Sequence, residues 1–200
     1  TNITSQLEVT LLKERSKEEY HETIESVLED IKSLNLLSNS LLELARLTRD
    51  SDSFTMSRQR LDEILWEARD SVKSIDPEYR VEIDIKDMPE DESKLYVEGN
   101  PYLLKTAFQN VIENACKFSS DKMASVTLCI QDDHLVVQVK DQGPGIDDKD
   151  ISHVFEPFFR TDATSKIRGY GIGLSLCSRI ISIHKGKIDI QSTQGQGTLV

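Results

Sequence analysis

Apolar residues in the first fifty positions recur with helical spacing and predict two helices. Ile3, Leu7 and Leu11 are spaced four apart, which gives one apolar stripe of a first helix. Ser16, followed by Glu19 three residues later, forms a capping-box pattern, so a second helix is predicted to begin there. The apolar stripe of this second helix consists of Ile24, Val27, Leu28, Ile31, Leu34, Leu37, Leu41, Leu44, Ala45 and Leu47.

The second stripe is too wide for a lone surface helix and too long to be covered by one short partner. We therefore predict that residues 1–50 form a helical hairpin that dimerises into a four-helix bundle. The alternative is packing of the hairpin against the rest of the same chain. The polar sequence over residues 50–57 predicts a linker, and a second domain is assigned to residues 51–200.

After this linker the pattern becomes a mixture of helical and alternating segments. Leu61, Ile64 and Leu65 begin an apolar helix face that stops at Asp76-Pro77, and Asn100-Pro101 predicts a further helix start. The order of elements predicts an α+β domain, a two-layer α/β sandwich whose mixed sheet carries helices on one face. Strands are predicted at residues 81–85, 94–98, 124–131, 134–140, 187–192 and from 198, with a last helix over residues 173–184.

Charge and composition narrow the classes of ligand. The net charge of −11 over 200 residues disfavours nucleic acid and anionic membrane surfaces, since both attract basic patches. No apolar run approaches the ~18 residues needed to span a bilayer, so membrane attachment is expected only through segments outside this chain. Cys116, Cys129 and Cys177 lack CxxC spacing and are predicted to be reduced core thiols, which favours a cytoplasmic location.

The first polar cluster lies on the helix that Asn100-Pro101 opens. Asn110 and Asn114 are four residues apart and share one helix face, with Lys117 about one turn further along. An amide oxygen suits a Mg²⁺ ion that takes its other ligands from triphosphate and water, and a lysine can contact a phosphate oxygen. Glu113 is expected to point to solvent or to pair locally. A single asparagine would more simply be a surface residue, so this interpretation depends on the clusters that follow.

The second cluster, residues 141–146, follows an alternating strand. Asp141 at a strand end could accept a hydrogen bond from an exocyclic amine, which would select adenine over guanine. Gly143 and Gly145 would let the backbone pass close to the base. The same residues also fit a type II turn, and the two interpretations are compatible.

The third cluster is an alternating glycine turn at Gly169, Gly171 and Gly173 that leads into a helix. Unhindered amides in front of a helix N-terminus predict an anion site for phosphates. The pattern is neither GxGxxG nor GxxxxGK[ST], which disfavours Rossmann and P-loop sites. Residues 161–168 are predicted to form a mobile lid from which Lys166 or Arg168 reaches the γ-phosphate. The root of this lid is predicted to be fixed by the apolar anchors Phe155, Phe158 and Phe159.

Together these clusters resemble the ATP-binding domain of sensor histidine kinases of two-component systems, within the GHKL (gyrase, chaperone, kinase, MutL) superfamily. Residues 110–118 resemble its N box, 141–146 its G1 box, 155–159 its F box and 169–174 its G2 box. Residues 195–198 resemble the closing segment before the last strand. The preceding hairpin resembles a dimerisation and histidine-phosphotransfer domain.

The resemblance implies a Bergerat-type fold and assigns roles to residues. Asn110, Asn114 and Lys117 would be catalytic, with Asn114 as the magnesium ligand. Phe118 would pack on the base and Asp141 would read the adenine amine. The other implied nucleotide contacts are Gly143, Gly145, Ile146, Lys166, Arg168, Gly169, Gly171, Gly173, Leu174 and Thr198.

The implied activity is transfer of the γ-phosphoryl group of Mg-ATP to a histidine, for relay to the receiver domain of a response regulator. A homodimer through the hairpin is the implied assembly. We expect the acceptor-histidine box to precede residue 1 and the final strand to continue past residue 200. The alternatives are another ATPase of the same superfamily, or a dimeric nucleotide-binding module without turnover. His21, His134, His153 and His184 lie outside any motif like the acceptor box.

Overall fold

The computed structural model describes residues 3–49, 54–86, 91–132, 134–161, 167 and 169–200. The chain divides into two compact units, Thr1–Glu43 and Leu44–Val200. This division falls within a long helix. The predicted assignment of residues 1–50 and 51–200 to two domains stays a prediction.

The first unit is helical, as predicted. Helix α1 spans Ile3–Leu11, and α2 spans Lys17–Arg49 and continues into the second unit. The capping box is confirmed: the Ser16 amide donates to Glu19 Oε2 at 2.9 Å, and the Glu19 amide donates to Ser16 Oγ at 3.1 Å. Six apolar side chains of α2 are 39% to 57% exposed in the single chain, namely Ile24, Leu28, Ile31, Leu34, Leu41 and Leu42. The dimeric four-helix bundle that would cover them stays a prediction.

The second unit alternates helices and strands. A short 3-10 turn at Glu92–Leu95 precedes its third strand. Its strands are β1 Ser57–Arg60, β2 Arg80–Ile85, β3 Tyr96–Gly99, β4 Met123–Gln131, β5 His134–Lys140, β6 Gln191–Thr193 and β7 Gly197–Leu199. Its helices are α3 Leu61–Ile75, α4 Pro101–Phe118, α5 Asp148–Ile151 and α6 Gly173–Ile183.

The mixed sheet predicted from the element order is present. Five strands lie in the order β2-β4-β5-β7-β6, with β2 and β4 parallel and the other pairs antiparallel. Strands β1 and β3 form a separate antiparallel pair, and β1 was not predicted. The predicted strand over residues 187–192 is wrong across 187–190, because only Gln191–Thr193 pairs with β7. Ile188 packs against the core, so the alternating apolar residues of this segment reflect burial against the core and not pairing in the sheet.

The core lies between one face of the sheet and helices α3, α4 and α6. Alternate residues of β4, Ala124, Val126 and Leu128, are completely or almost completely buried. Each such valine or leucine contributes roughly 1.5–3 kcal/mol relative to an exposed position. Leu47, in the last turn of α2, is also buried in this core. The helices therefore cover a single face, as the sequence predicted.

Two cysteines are sealed inside this core and the third is half-buried. Cys116 on α4 and Cys177 on α6 are completely buried, and the Cys177 thiol donates to the Ala107 carbonyl at 3.2 Å. Burial raises the pKa of each of these two thiols to about 12. Both therefore stay protonated at neutral pH, and their free, buried thiols agree with the prediction, whereas Cys129 is free but only partly buried. None of the described helices is long and apolar enough to cross a bilayer.

Candidate functional site

Helix α4 presents the two predicted asparagines to the glycine turn that opens α6. Asn100 Oδ1 accepts from the Leu103 amide at 3.1 Å and caps α4, whose first residue is Pro101. The opposite face of α4 is buried in the core, which fixes the rotation of the helix. A β-carbon on Gly173 would lie 2.9 Å from Asn110 Oδ1 and 3.7 Å from Asn114 Nδ2. The structure thus brings both amides to the first turn of α6.

Asn110 is oriented by its own helix. Its Nδ2 donates to the Thr106 carbonyl at 2.8 Å, so its Oδ1 is the atom that faces Gly173. Asn110 and Asn114 are both half-buried. A neutral amide cannot take up a proton at neutral pH, so Asn110 can orient a ligand but cannot serve as a general base.

Lys117 extends the same polar face toward the glycine turn. Its Nζ lies 5.2 Å from the centroid of the Phe118 ring, and a β-carbon on Gly169 would lie 2.6 Å from this Nζ. A positive charge therefore lies beside the backbone of the turn. Glu113 is half-buried and does not simply face solvent: burial raises the pKa of its carboxyl group, and the Lys117 ammonium opposes that rise.

Asp141 is the buried acid of the site, with only 8% of its surface exposed. Its Oδ1 accepts from the Gly143 amide at 2.7 Å and from the Thr198 amide at 3.2 Å. Burial raises the pKa of this carboxyl group, while the two amides lower it. Within the described ranges Oδ2 accepts no hydrogen bond, so it can accept one from a ligand amine.

Gly143 allows the loop after β5 to pass against the end of α4. A β-carbon at this position would lie 2.6 Å from the Phe118 carbonyl oxygen and 2.9 Å from Asp141 Oδ1. Any side chain would displace one of these groups. The residues predicted to contact the base, Phe118 and Asp141, are thereby brought together.

A hydroxyl pair that the sequence analysis missed supports the same loop. The Ile146 amide donates to Ser192 Oγ at 2.9 Å, and this hydroxyl donates to the Gly197 carbonyl at 2.9 Å. Thr198 Oγ1 lies 2.9 Å from Ser192 Oγ. Gly145, with φ +69°, lies against the Thr193 carbonyl. Thr198 and Ile146 were predicted site residues, but nothing local in the sequence distinguished Ser192 from an ordinary strand residue.

Ser119 is a second supporting residue that the sequence analysis missed. Its hydroxyl donates to Asp121 Oδ1 at 2.6 Å and accepts from the Gln142 amide at 3.3 Å. It is buried directly after Phe118. The sequence shows a serine directly after the asparagine cluster, but it does not show that this serine contacts Gln142, which lies 23 positions away in the chain.

The F-box segment contacts the glycine turn differently from the prediction. The Phe158 amide donates to the Gly171 carbonyl at 2.9 Å, and Phe158 has φ +68°. Its side chain is 57% exposed, so its prediction as an apolar anchor is wrong. In this left-handed backbone conformation the Phe158 amide donates to Gly171 and the ring faces solvent. Of the neighbouring apolar residues, Phe155 and Phe159 are half-buried and Val154 is buried.

Two residues of the predicted lid, Lys166 and Arg168, lie outside the described residues. Next to Arg160 and Thr161, a cavity of about 370 Å³ is lined also by Gly145 and Ile146. The cavity thus shares two predicted contacts with the site. Leu174 is half-buried against the core behind the glycine turn.

The chemistry of the donor set fits an adenine nucleotide with magnesium. The side-chain amides of two asparagines, a lysine and the N-terminus of α6 meet at one end, and an acceptor oxygen of Asp141 lies at the other. Asn114 would hold the metal ion with phosphate oxygens and water as its other ligands. Within the described ranges no cluster of three His, Cys, Asp or Glu side chains could hold a metal by itself.

Comparison with known proteins gives a consistent family. Residues 99–200 match the family described as Histidine kinase-, DNA gyrase B-, and HSP90-like ATPase. The chain is 37% identical over 117 residues to the adaptive-response sensory kinase SasA of Crocosphaera subtropica, covering 57% of this chain and 30% of that protein. It is 28% identical over 166 residues to the sensor protein BasS of Escherichia coli, covering 80% of this chain and 44% of that protein. The chain thus spans less than half the length of either relative.

Among solved structures, the chain is similar to a mycobacterial sensor histidine kinase, MprB. The identity is 26% and the TM-score 0.63, with 72% of this chain and 93% of that chain covered. The mixed sheet with helices on one face is therefore the fold of a histidine kinase catalytic domain.

Proposed function

Because this chain belongs to the family of histidine kinase-, DNA gyrase B- and HSP90-like ATPases, we propose that it binds Mg-ATP and transfers the γ-phosphoryl group to a histidine nitrogen. It would be the catalytic portion of a sensor histidine kinase, acting in the cytoplasm. The phosphohistidine would then supply the phosphoryl group to an aspartate of a response regulator receiver domain.

The observation that carries this proposal is the environment of Asp141. One carboxylate oxygen is held by two backbone amides, and within the described ranges the other accepts no hydrogen bond. An adenine amine can donate to that oxygen, whereas guanine offers a carbonyl at the equivalent position. Two acceptors facing each other would leave a buried group unpaired, at a cost of about 1–3 kcal/mol. We call Asp141, Gly143, Ile146, Ser192 and Thr198 the adenine end.

The opposite part of the site suits a triphosphate. The N-terminus of α6 and the Lys117 ammonium provide positive potential where the phosphates would lie. Mg²⁺ held by Asn114 would neutralise charge that develops on the phosphate oxygens. We call Asn110, Asn114, Lys117, Gly169 and Gly173 the phosphate end.

The residue at position 110 favours phosphotransfer over hydrolysis. In the reaction a histidine nitrogen forms a bond to Pγ while the bond from Pγ to the bridging oxygen of ADP breaks. The superfamily resemblance implies that the ATPases that activate water carry a glutamate base at the position of Asn110. An amide cannot remove a proton from water, so position 110 supplies no base for hydrolysis, whereas a neutral imidazole nitrogen can attack Pγ without one.

The helical unit would supply the surface through which two copies of the chain form a homodimer. The exposed apolar stripe of α2 supports a homodimer, since burying such residues contributes roughly 1.5–3 kcal/mol each. A response regulator would be the downstream partner.

A transfer experiment tests the proposal. This chain is incubated with γ-labelled ATP and a separate hairpin domain that carries an acceptor histidine. We expect acid-labile label on that hairpin and none on His21 or the other histidines of this chain. Release of the label only as inorganic phosphate would indicate a hydrolase of the same superfamily. Bound but unconverted ATP would indicate a nucleotide-binding module.

A further inference from the structure

We propose that His184 is a positioning residue that sets the placement of α4 against α6 and thereby aligns the phosphate end. The inference rests on the proposed function, because the phosphate end has meaning only if Mg-ATP binds there. His184 lies at the C-terminal end of α6, far along the chain from every predicted site residue on α4.

The hydrogen bonds of His184 fix one neutral form of its ring. The Asn100 amide donates to His184 Nε2 at 3.0 Å, so Nε2 must be unprotonated. His184 Nδ1 lies 2.7 Å from the Ile180 carbonyl, which can only accept. Nδ1 therefore carries the hydrogen, and both ring nitrogens are committed. A side chain held at both nitrogens defines the distance and angle between the elements that it joins.

The imidazole ring of His184 occupies space that a side chain at Gly99 would fill. A β-carbon on Gly99 would lie 2.8 Å from His184 Cδ2 and 2.5 Å from Leu104 Cδ1. Gly99 ends β3, immediately before the N-cap of α4. Only a residue without a side chain leaves room for the ring to reach the Asn100 amide.

The residue that His184 contacts controls the start of α4. Asn100 caps the helix through the Leu103 amide, and its Nδ2 donates to the Thr55 carbonyl at 3.3 Å. His184 thus holds the end of α6 against the first turn of α4. The other end of α6, Gly173, meets Asn110 and Asn114, so the two helices run antiparallel and touch near both ends.

Helix geometry makes this contact relevant to the site. Asn114 lies about 21 Å along α4 from Asn100, at a rise of about 1.5 Å per residue. Without the His184 contact α6 can slide or tilt along α4, and either motion would move the glycine turn at Gly173 against both asparagines. Misplacement by about 1 Å is enough to cost on the order of 100-fold in a positioned reaction.

The adenine end does not depend on this contact. Asp141 is held by the amides of Gly143 and Thr198, which belong to the loop after β5 and to β7. Loss of the His184 contact should therefore weaken binding of the phosphates and leave binding of the base unchanged. A purely structural histidine would affect both ligands through global stability.

The test compares His184→Leu with His184→Gln in this chain, using calorimetry with Mg-ATP and with adenosine. We expect His184→Leu to lose about tenfold in Mg-ATP affinity, the size of a lost hydrogen bond, with adenosine affinity unchanged. His184→Gln should recover most of the loss, because its Oε1 can accept from the Asn100 amide. Gly99→Ala is a second variant, whose methyl group would meet both the His184 ring and Leu104 Cδ1, and it should show the same loss of Mg-ATP affinity.

Three results would overturn the inference. These are wild-type Mg-ATP affinity in both His184→Leu and Gly99→Ala, an equal loss for Mg-ATP and adenosine, or a glutamine variant no better than the leucine variant. If the unmodified chain fails to bind Mg-ATP, the proposed function is wrong and the inference falls with it. The wild-type titration therefore separates the two failures.

Discussion

The adenine end and the phosphate end are formed by different kinds of structural element. At the adenine end, backbone amides from the loop after β5 and from β7 hold one oxygen of Asp141. At the phosphate end, side chains of α4 face the backbone amides of the turn at the start of α6, so the site depends on how two helices pack. Backbone groups held by strand pairing on both sides, as in β7, have little freedom, whereas two packed helices can shift. Base recognition should therefore tolerate small movements that disrupt phosphate placement.

The largest expected effect separates the two ends at Asn114. Asn114→Asp places a negative charge where the triphosphate would lie, so phosphotransfer should fall by about 100-fold or more. A fluorescent adenine analogue without phosphates should bind as it does to the unmodified chain. Asn35→Asp, at an exposed position of α2, makes the same chemical change away from the site and is the control. Unimpaired phosphotransfer by Asn114→Asp would contradict the metal assignment.

The next effect addresses the adenine end. Asp141→Asn replaces one of the two acceptor oxygens with an amino group and should weaken ATP binding by about fivefold or more, from a cost of about 1–3 kcal/mol. It should also reduce the preference for ATP over GTP, which calorimetry measures. Asp148→Asn, an exposed acid on α5, is the matched control. Equal affinity of the unmodified chain for ATP and GTP would remove Asp141 from this role.

A pH dependence sharpens the same assignment. Burial raises the folded-state pKa of Asp141 above its ordinary value of 3.8, so the native chain binds this proton more readily than the unfolded chain. The stability contributed by this group is therefore present below the unfolded-state pKa. It is lost as pH rises through the raised folded-state pKa. Accepting from an amine requires the ionised form, so adenosine affinity should fall as pH drops through the same folded-state pKa.

The measurement is an adenosine titration from neutral pH into the acidic range. Asp141→Asn should show a flat profile where the unmodified chain shows a decline. Parallel profiles for the two proteins would indicate that another group titrates.

The smallest effect concerns the support of the adenine end. Ser192→Ala removes the acceptor for the Ile146 amide and the partner of Thr198 Oγ1. Affinity for ATP should fall by roughly two- to tenfold, from a cost of about 0.5–1.5 kcal/mol, with phosphotransfer from saturating ATP unchanged. Ser182→Ala, at an exposed position of α6, is the control. A change in the rate at saturating ATP would show that the two ends are coupled.

Local signals in the sequence were sufficient for the elements that carry the site. The capping box at Ser16 and Glu19 and the helix start at Asn100-Pro101 depend on atoms a few residues apart, and both are confirmed. Alternation located β4 and β5 for the same reason. The segment 187–190 shows the limit, because alternating apolar residues can pack on a core without pairing in a sheet.

The residues that were missed make contacts between distant parts of the chain. Ser192 meets Ile146 46 positions away, and His184 meets Asn100 84 positions away. No spacing rule predicts such pairs, since they depend on how helices and strands assemble. Phe158 was misassigned for a related reason: its left-handed backbone, set by the contact with Gly171, turns an apolar residue outward.

The buried thiols give the protein an internal reporter of helix opening. Cys177 lies between α6 and α4, where its sulfur contacts the Ala107 carbonyl, and Cys116 lies near the end of α4. A thiol reagent can modify Cys177 only while α6 and α4 separate, whereas Cys116, whose thiol contacts the Arg80 carbonyl, reports on separation of α4 from the sheet. The rate of Cys177 modification would thus measure how often α4 and α6, which carry the phosphate end, separate, without any added label.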